Sequence, residues 1–360
     1  MRLILLSLVL LSASAYHAAA QGCVAIRSTG SNLCTMLHDE QSPSGSSHSA
    51  AGWQFNAGYR YFESFRHYVG EAEQKQRATQ QNQVINHAYT VDLSIVRYFN
   101  SRWSLAFGVP VLANTRSQVA KWDGSRYQTH AFGLGDMRLT VYRWMLDPAK
   151  AHKGNFQLGL GLKFATGDYK YQDYFPTSDS TKELRTVDQS IQLGDGGTGL
   201  ITELNGFYNV TPKAGVYGNV YYLFNPREQN GVPTYRSNSF EAIMSVADQY
   251  MARLGFNYGF SGGLSRMSAS VGGRLEGIPV HDAIGGSEGF RRPGYVISVE
   301  PGITWSAHKA TYFVSVPVVL VRNRTQSVPD KETTAKTGKY TQGDAAFADY
   351  VINIGCSFRF

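Results

Sequence analysis

The 360-residue chain is 42% hydrophobic and 13% aromatic but only 17% charged. Its 34 Lys and Arg against 27 Asp and Glu give a formal net charge of +7, with no dense Lys/Arg block, so a nucleic-acid partner is excluded. No segment approaches the roughly 18 continuous apolar residues of a membrane-spanning helix, and the mean hydropathy of −0.27 reflects apolar residues interleaved with polar ones.

Arg2, the apolar run over 3–11 and the small residues up to Ala20 follow the charged, apolar, small-residue order of a secretory signal, so residues 1–20 are expected to be removed. An exported chain meets an oxidising compartment, and Cys23 and Cys34 are expected to pair ahead of the first strand. The alternative is lipidation of Cys23, for which residues 20–22 are a poor match. Cys356 is expected to be a buried thiol packing as a small hydrophobe. A mild basic excess on an exported chain points to anionic lipid head groups or lipopolysaccharide.

From Trp53 onward, apolar residues recur at alternate positions, the period of a strand with one apolar face. The parity predicts strands over 53–66, 88–99, 103–115, 133–145 and 155–164. The last of these is the cleanest, with Phe156, Leu158, Leu160, Leu162 and Phe164 set against Gln157, Gly159, Gly161 and Lys163. Further strands follow over 198–210, ambiguous in register, then 214–224, 248–260, 267–277, 294–305 and 311–322. In the final strand, 350–360, Tyr350, Ile352, Ile354, Cys356, Phe358 and Phe360 share one parity. It resembles the C-terminal sorting strand of bacterial outer-membrane barrels, which ends in Phe and is read by the barrel-assembly machinery.

The expected fold is therefore all-β: a transmembrane antiparallel barrel of about twelve strands over 52–360, in the outer membrane. Short and long connections alternate, as periplasmic turns and extracellular loops do. Trp53, Trp103, Trp144 and Trp305 fall near expected periplasmic strand ends, where indoles favour the membrane interface. A soluble β-sandwich or propeller would explain the strands, but neither the loop asymmetry nor Phe360.

Arg60, Asp92, Arg138, Lys163, Glu203, Arg253, Arg274, Glu276 and Glu300 fall on the inward parity. They are either a salt-bridge network that plugs the lumen or a polar constriction lining a narrow pore. Pro110, Pro301 and Pro317 interrupt strands of an edgeless sheet, and each removes a ladder donor. Pro110 and Pro317 are expected at similar heights, as wall kinks or as a gap through which an apolar solute leaves sideways.

Gly133, Gly135 and Asp136, then Thr166, Gly167 and Asp168, then residues 194–198 form Gly-x-Gly-Asp, Thr-Gly-Asp and Gly-Asp-Gly-Gly-Thr segments. They resemble a family of outer-membrane transporters of the phenol meta-cleavage pathway type, with Ala165 where that family usually has Pro. The match covers about 133–226. The resemblance implies passive uptake of small hydrophobic or aromatic compounds, by analogy with fatty-acid channels. It also implies a plugging N-terminal segment, for which 21–51 is the candidate; a periplasmic leader tied by the disulfide is the other reading. A structural or surface-binding barrel with a plugged lumen is the alternative function.

A lipid hydrolase is a weaker reading. No His-x-Ser falls in an expected strand, and His87, His130, His281 and His308 lie at strand ends or connections. His281-Asp282 has no adjacent nucleophile. No cofactor or metal is expected: the carboxylates of 168–188 lack calcium-loop spacing, and 194–199 reads as a flexible loop without the Lys of a phosphate cradle. Deleting Phe360 is expected to lower the folded, membrane-inserted protein sharply, measured by heat-modifiable gel mobility; unchanged levels would remove the sorting role.

Overall fold

The structure, a computed structural model, describes residues 51–360 except Lys121, Asp179 and His308. The expected leader, the segment that follows it and the Cys23–Cys34 pairing lie outside the described residues.

Twelve antiparallel staves form one sheet that closes on itself. They are β1 (Gly52–Val69), β2 (Ile85–Tyr98), β3 (Trp103–Val119), β4 (Arg126–Leu134 continued by Arg138–Trp144), β5 (Gly154–Lys163) and β6 (Gly199–Asn209). There follow β7 (Ala214–Phe224), β8 (Gln249–Gly259), β9 (Met267–Ile278), β10 (Gly294–Ala307), β11 (Ala310–Ser315 continued by Val318–Asn323) and β12 (Ile352–Arg359). β12 closes the ring against β1, with Gln54 opposite Arg359 and Tyr61 opposite Ile352. Trp53 and Phe360 exchange two backbone hydrogen bonds of 2.9 Å at the rim. Closure leaves no unpaired sheet edge, the condition for placing strands in hydrocarbon.

The alternation is inverted relative to a soluble protein. In β5, Phe156, Leu158, Leu160 and Leu162 are exposed on the outer wall, whereas Asn155, Gln157 and Lys163 are buried inside. β6 resolves its ambiguous register the same way: Leu200, Leu204 and Tyr208 face out, and Glu203, Asn205 and Phe207 face in. A sandwich or propeller is excluded by this closed, apolar-skinned sheet.

Several expectations are corrected. The connection expected over 116–132 is largely a hairpin, because β3 and β4 continue to the pair Val119 and Arg126. His130 therefore lies inside a strand. The apolar parity fades there because Thr115, Arg116, Ser117 and Gln118 have left the bilayer, while the backbone ladder continues. Trp53, Trp103 and Trp305 face outward, but Trp144 follows the inward parity of Tyr142 and packs edge-on against Phe207, with ring centroids 6.0 Å apart. Its nearness to a strand end misled; its parity decides. Cys356 is half-exposed on the lipid-facing parity, not buried. Tyr350 precedes β12 and bridges singly to Val318. Phe358 and Phe360 face outward, with ring centroids 5.9 Å apart.

At the end opposite Phe360 the long connections pack into a cap. Ala345–Ala348 folds back as an extra strand on β1. The helix Val328–Thr337 is closed at its start by a Ser327–Asp330 capping box. Arg291 and Asp282, whose side chains are fully buried, pair through bonds of 2.8 and 2.6 Å, and Arg291 also donates to Ser245 Oγ at 2.9 Å. Breaking such a pair strands one buried charge, at a cost of about 3–5 kcal/mol. Arg291→Leu is accordingly expected to loosen the cap by about that amount, read as faster proteolysis of the extracellular loops while the barrel band stays intact.

Candidate functional site

The inward-facing charges gather in the lumen. Arg274, buried, pairs with Glu276 at 2.7 Å and Glu300 at 3.7 Å, and Arg253 reaches Glu300 at 3.6 Å. Arg253 also donates to Asn219 Oδ1 at 3.3 Å, and Asn219 donates to Glu203 at 3.1 Å. Glu203 accepts a second bond, of 2.8 Å, from the Tyr142 hydroxyl. Arg60 donates to Asn353 Oδ1 at 3.2 Å. Lys163 bonds Asp195 and lies 3.6 Å from Asp136. Pairing on this scale is what buried charge requires.

Two cavities border this network. One of about 130 Å³ lies beneath residues 189–195 and is lined by Arg60, Thr90, Asn114, Arg138 and Lys163. The second, of about 110 Å³, shares Arg60 and Arg138 and adds Asp92, Pro110, Arg253 and Glu300. Its lining also includes Tyr59, Leu93, Val109 and Ile354, whose side chains follow the lipid-facing parity. The wall is thin there because Gly58 and Gly108 occupy inward positions. Toward the Phe360 end, Trp144, Phe207 and Tyr217 cluster together. Gln54, Asn56, Gln157 and Asn205 are buried in the lumen nearby.

The prolines mark breaks in the wall. The Pro110 carbonyl accepts from Gly135 at 2.8 Å. A strand residue turns its N–H and C=O to the same neighbour, so the missing donor faces 135–137, where β4 is interrupted. The Pro317 carbonyl accepts from Val351 at 3.0 Å, so its missing donor faces 349–351, ahead of β12. Pro301 accepts from Val316 at 3.1 Å and faces the break in β11. In the ladder Pro110 lies opposite Asp92, and the line continues through Gly58 and Gly355 to Phe313 on β11.

The Gly-rich segments, far apart in sequence, meet at the Pro110 break. Thr166 Oγ1 accepts from Met137 N–H at 2.8 Å and donates to the Gly135 carbonyl at 3.2 Å, satisfying backbone that the interruption releases. Asp136 accepts from the backbone of Gly167 at 2.9 Å and of Asp195 at 3.2 Å. A Cβ on Gly167 would sit 2.6 Å from the Leu193 carbonyl, and one on Gly194 would sit 2.6 Å from the Asp136 carboxylate. Residues 194–199 are therefore held at the wall and are not a free loop. Asp168 only closes a local turn onto Lys170.

The connection between β5 and β6 bends into the lumen, which the sequence pattern did not show. Val187, Ile191 and Leu193 pack against Leu112 and Ala131. Asp188 holds the bend: Arg292 lies at 2.8 Å, Arg116 at 3.4 Å, and Tyr235 donates at 2.5 Å. Burial alone would raise the Asp188 carboxyl, but Arg116 and Arg292 outweigh it and hold it well below the usual range. Burial and the Asp188 charge push the Tyr235 phenol up to about 12.

No dyad forms at His281, which lies 3.4 Å from Lys331, while Asp282 is committed to Arg291. His87 bonds the Tyr61 hydroxyl at 3.2 Å. Among the described residues no group of His, Cys, Asp or Glu is arranged to hold a metal.

No family model and no curated protein matches the sequence. Among solved structures, an outer-membrane channel from Pseudomonas putida F1 superposes with a TM-score of 0.56 at 13% identity, over 88% of this chain and 98% of that one. The chain shares its fold with an outer-membrane channel. A Pseudomonas aeruginosa FadL homologue aligns over 94% of this chain and 99% of its own at 8% identity, but its TM-score of 0.46 carries no further weight.

Because the folded-state pKa of Asp188 lies below its unfolded value, its contribution is full above about pH 4 and is lost as pH falls through the folded value. Limited proteolysis across 180–195 should thus be unchanged from neutral to mildly acidic pH and rise only in strong acid. Arg292→Gln should bring that rise to higher pH.

Proposed function

We propose that the barrel is a passive outer-membrane channel for small hydrophobic or aromatic compounds, which enter through the cap and leave sideways through the wall. The observation that carries this reading is the second cavity. It touches lumen-facing Arg60 and Arg253 and also the lipid-facing positions Leu93 and Val109, beside the glycine-thinned wall and the Pro110 break. The clustered aromatics toward the periplasmic end disfavour a straight aqueous route, and a sideways exit avoids them. The resemblance around 133–226 and the fold shared with a channel support the same class. The inward charges position solute and water at the cavities. Docking of the terminal Phe360 strand by the assembly machinery is part of this reading. The packed lumen floor also favours a second reading, a plugged structural barrel without flux.

Purified protein in planar bilayers and liposomes separates the two readings. The channel reading expects uptake of an aromatic probe. Pro110→Val is expected to reduce that uptake several-fold with ion conductance unchanged, and Pro317→Val to do so less. Equal effects on both readouts would remove the sideways exit, and no flux of either kind would leave the plugged barrel.

A further inference from the structure

The charges of this barrel are segregated along its axis. The Phe360 end carries cation after cation: Arg97 and Arg143 near the ends of β2 and β4, and Lys153, Lys213, Arg266 and Lys309 in the turns. Asp147 is the acidic residue in those turns, and it is used locally, accepting from the backbone of Ala149 at 3.2 Å. The cap is different, because many of its cations have acidic partners: Arg66 pairs with Glu73 at 2.8 Å, Arg291 with Asp282, and Arg322 with Asp349 at 2.5 Å. The excess positive charge therefore sits at the periplasmic rim, away from the leaflet that holds lipopolysaccharide.

Part of this rim is built, not merely charged. Trp53 lies directly opposite Arg97, whose guanidinium sits 5.0 Å from the indole centroid. Trp103 lies directly opposite Arg143 in the same way, at 5.1 Å. β1 to β4 are consecutive staves, so the outer wall presents Trp, Arg, Trp and Arg side by side. Lys153 over Tyr208, at 5.6 Å, repeats the arrangement farther round. The rings are on the lipid-facing parity and 40–46% exposed. A ring that carries the cation on its face anchors it at the depth where acyl chains give way to head groups.

We propose that this Trp–Arg collar binds anionic phospholipid head groups of the inner leaflet, the phosphate lying between Arg97 and Arg143 and the acyl chains against Trp53 and Trp103. The lipid-facing position of both guanidiniums selects a membrane lipid over an anionic polymer of the periplasmic space, which would meet the turns from below. Arginine suits the role because its planar fork pairs two phosphate oxygens at once. The binding is independent of whether the lumen conducts.

The test is native mass spectrometry of folded protein released from phosphatidylethanolamine vesicles containing phosphatidylglycerol. Phosphatidylglycerol should be retained preferentially, and less so as salt rises. Arg97→Gln with Arg143→Gln should lower its retention about five-fold per charge removed at low ionic strength. Lys153→Gln, at the turn before β5, should give a smaller loss if the double variant fails to fold. Arg185→Gln, on the extracellular hairpin, removes one charge as Lys153→Gln does and should have no effect. Equal retention of both lipids, an equal loss in Arg185→Gln, or capture by peptidoglycan sacculi without preference for phosphatidylglycerol would each overturn the proposal.

Discussion

Backbone hydrogen bonding in a solvent that offers none is the constraint on which the rest depends. Hydrocarbon cannot satisfy a bare N–H or C=O, so the sheet has to close, and β12 has to find β1. Departures from the ladder are few and are compensated. At Pro110 the neighbouring stave breaks, and Thr166 supplies the donor and the acceptor that the break needs. At Pro317 the carbonyl still takes a hydrogen bond from Val351, and Val319 donates to Asp349 at 2.8 Å across the same irregular stretch. A wall that must be continuous is locally weakened only where other residues make the weakness affordable.

The same solvent turns the protein inside out. Apolar side chains gain nothing from hiding, and the polar ones have to satisfy each other in a narrow lumen. Glu300 shows how tightly they are shared: it faces Arg253 and Arg274 and accepts from Ser315 at 2.9 Å. A lumen filled this way has little spare volume, and what remains is two small cavities bordered by Arg60 and Arg138. The cap adds a second layer of control. Asp188 draws together Arg116 from the wall with Tyr235 and Arg292 from two other connections, so the bend over the upper cavity is fixed by partners that lie far apart along the chain.

The Gly-rich segments explain themselves in this setting. Glycine at 167 and 194 lets two backbones and the Asp136 carboxylate approach where any side chain would collide. Composition alone suggested a loose loop there. The demand is the opposite: small residues are needed because the packing is close.

Sequence alone determined the architecture, because a strand's two faces see different solvents and the alternation of period two records that stave by stave. The closing strand, the even count and the inward positions of Arg60, Asp92, Arg138, Lys163, Glu203, Arg253, Arg274, Glu276 and Glu300 follow from parity. Tertiary structure decided what parity does not encode. The packing of Trp144 on Phe207 needed β4 and β6 brought together, and the length of the β3–β4 hairpin was hidden once its residues left the bilayer. The Asp188 hub, the junction at Asp136 and the rim of Trp53, Arg97, Trp103 and Arg143 join residues from separate staves or loops. Contacts across such separations have no period to leave in a sequence; they exist only once the sheet has closed and fixed which neighbours meet.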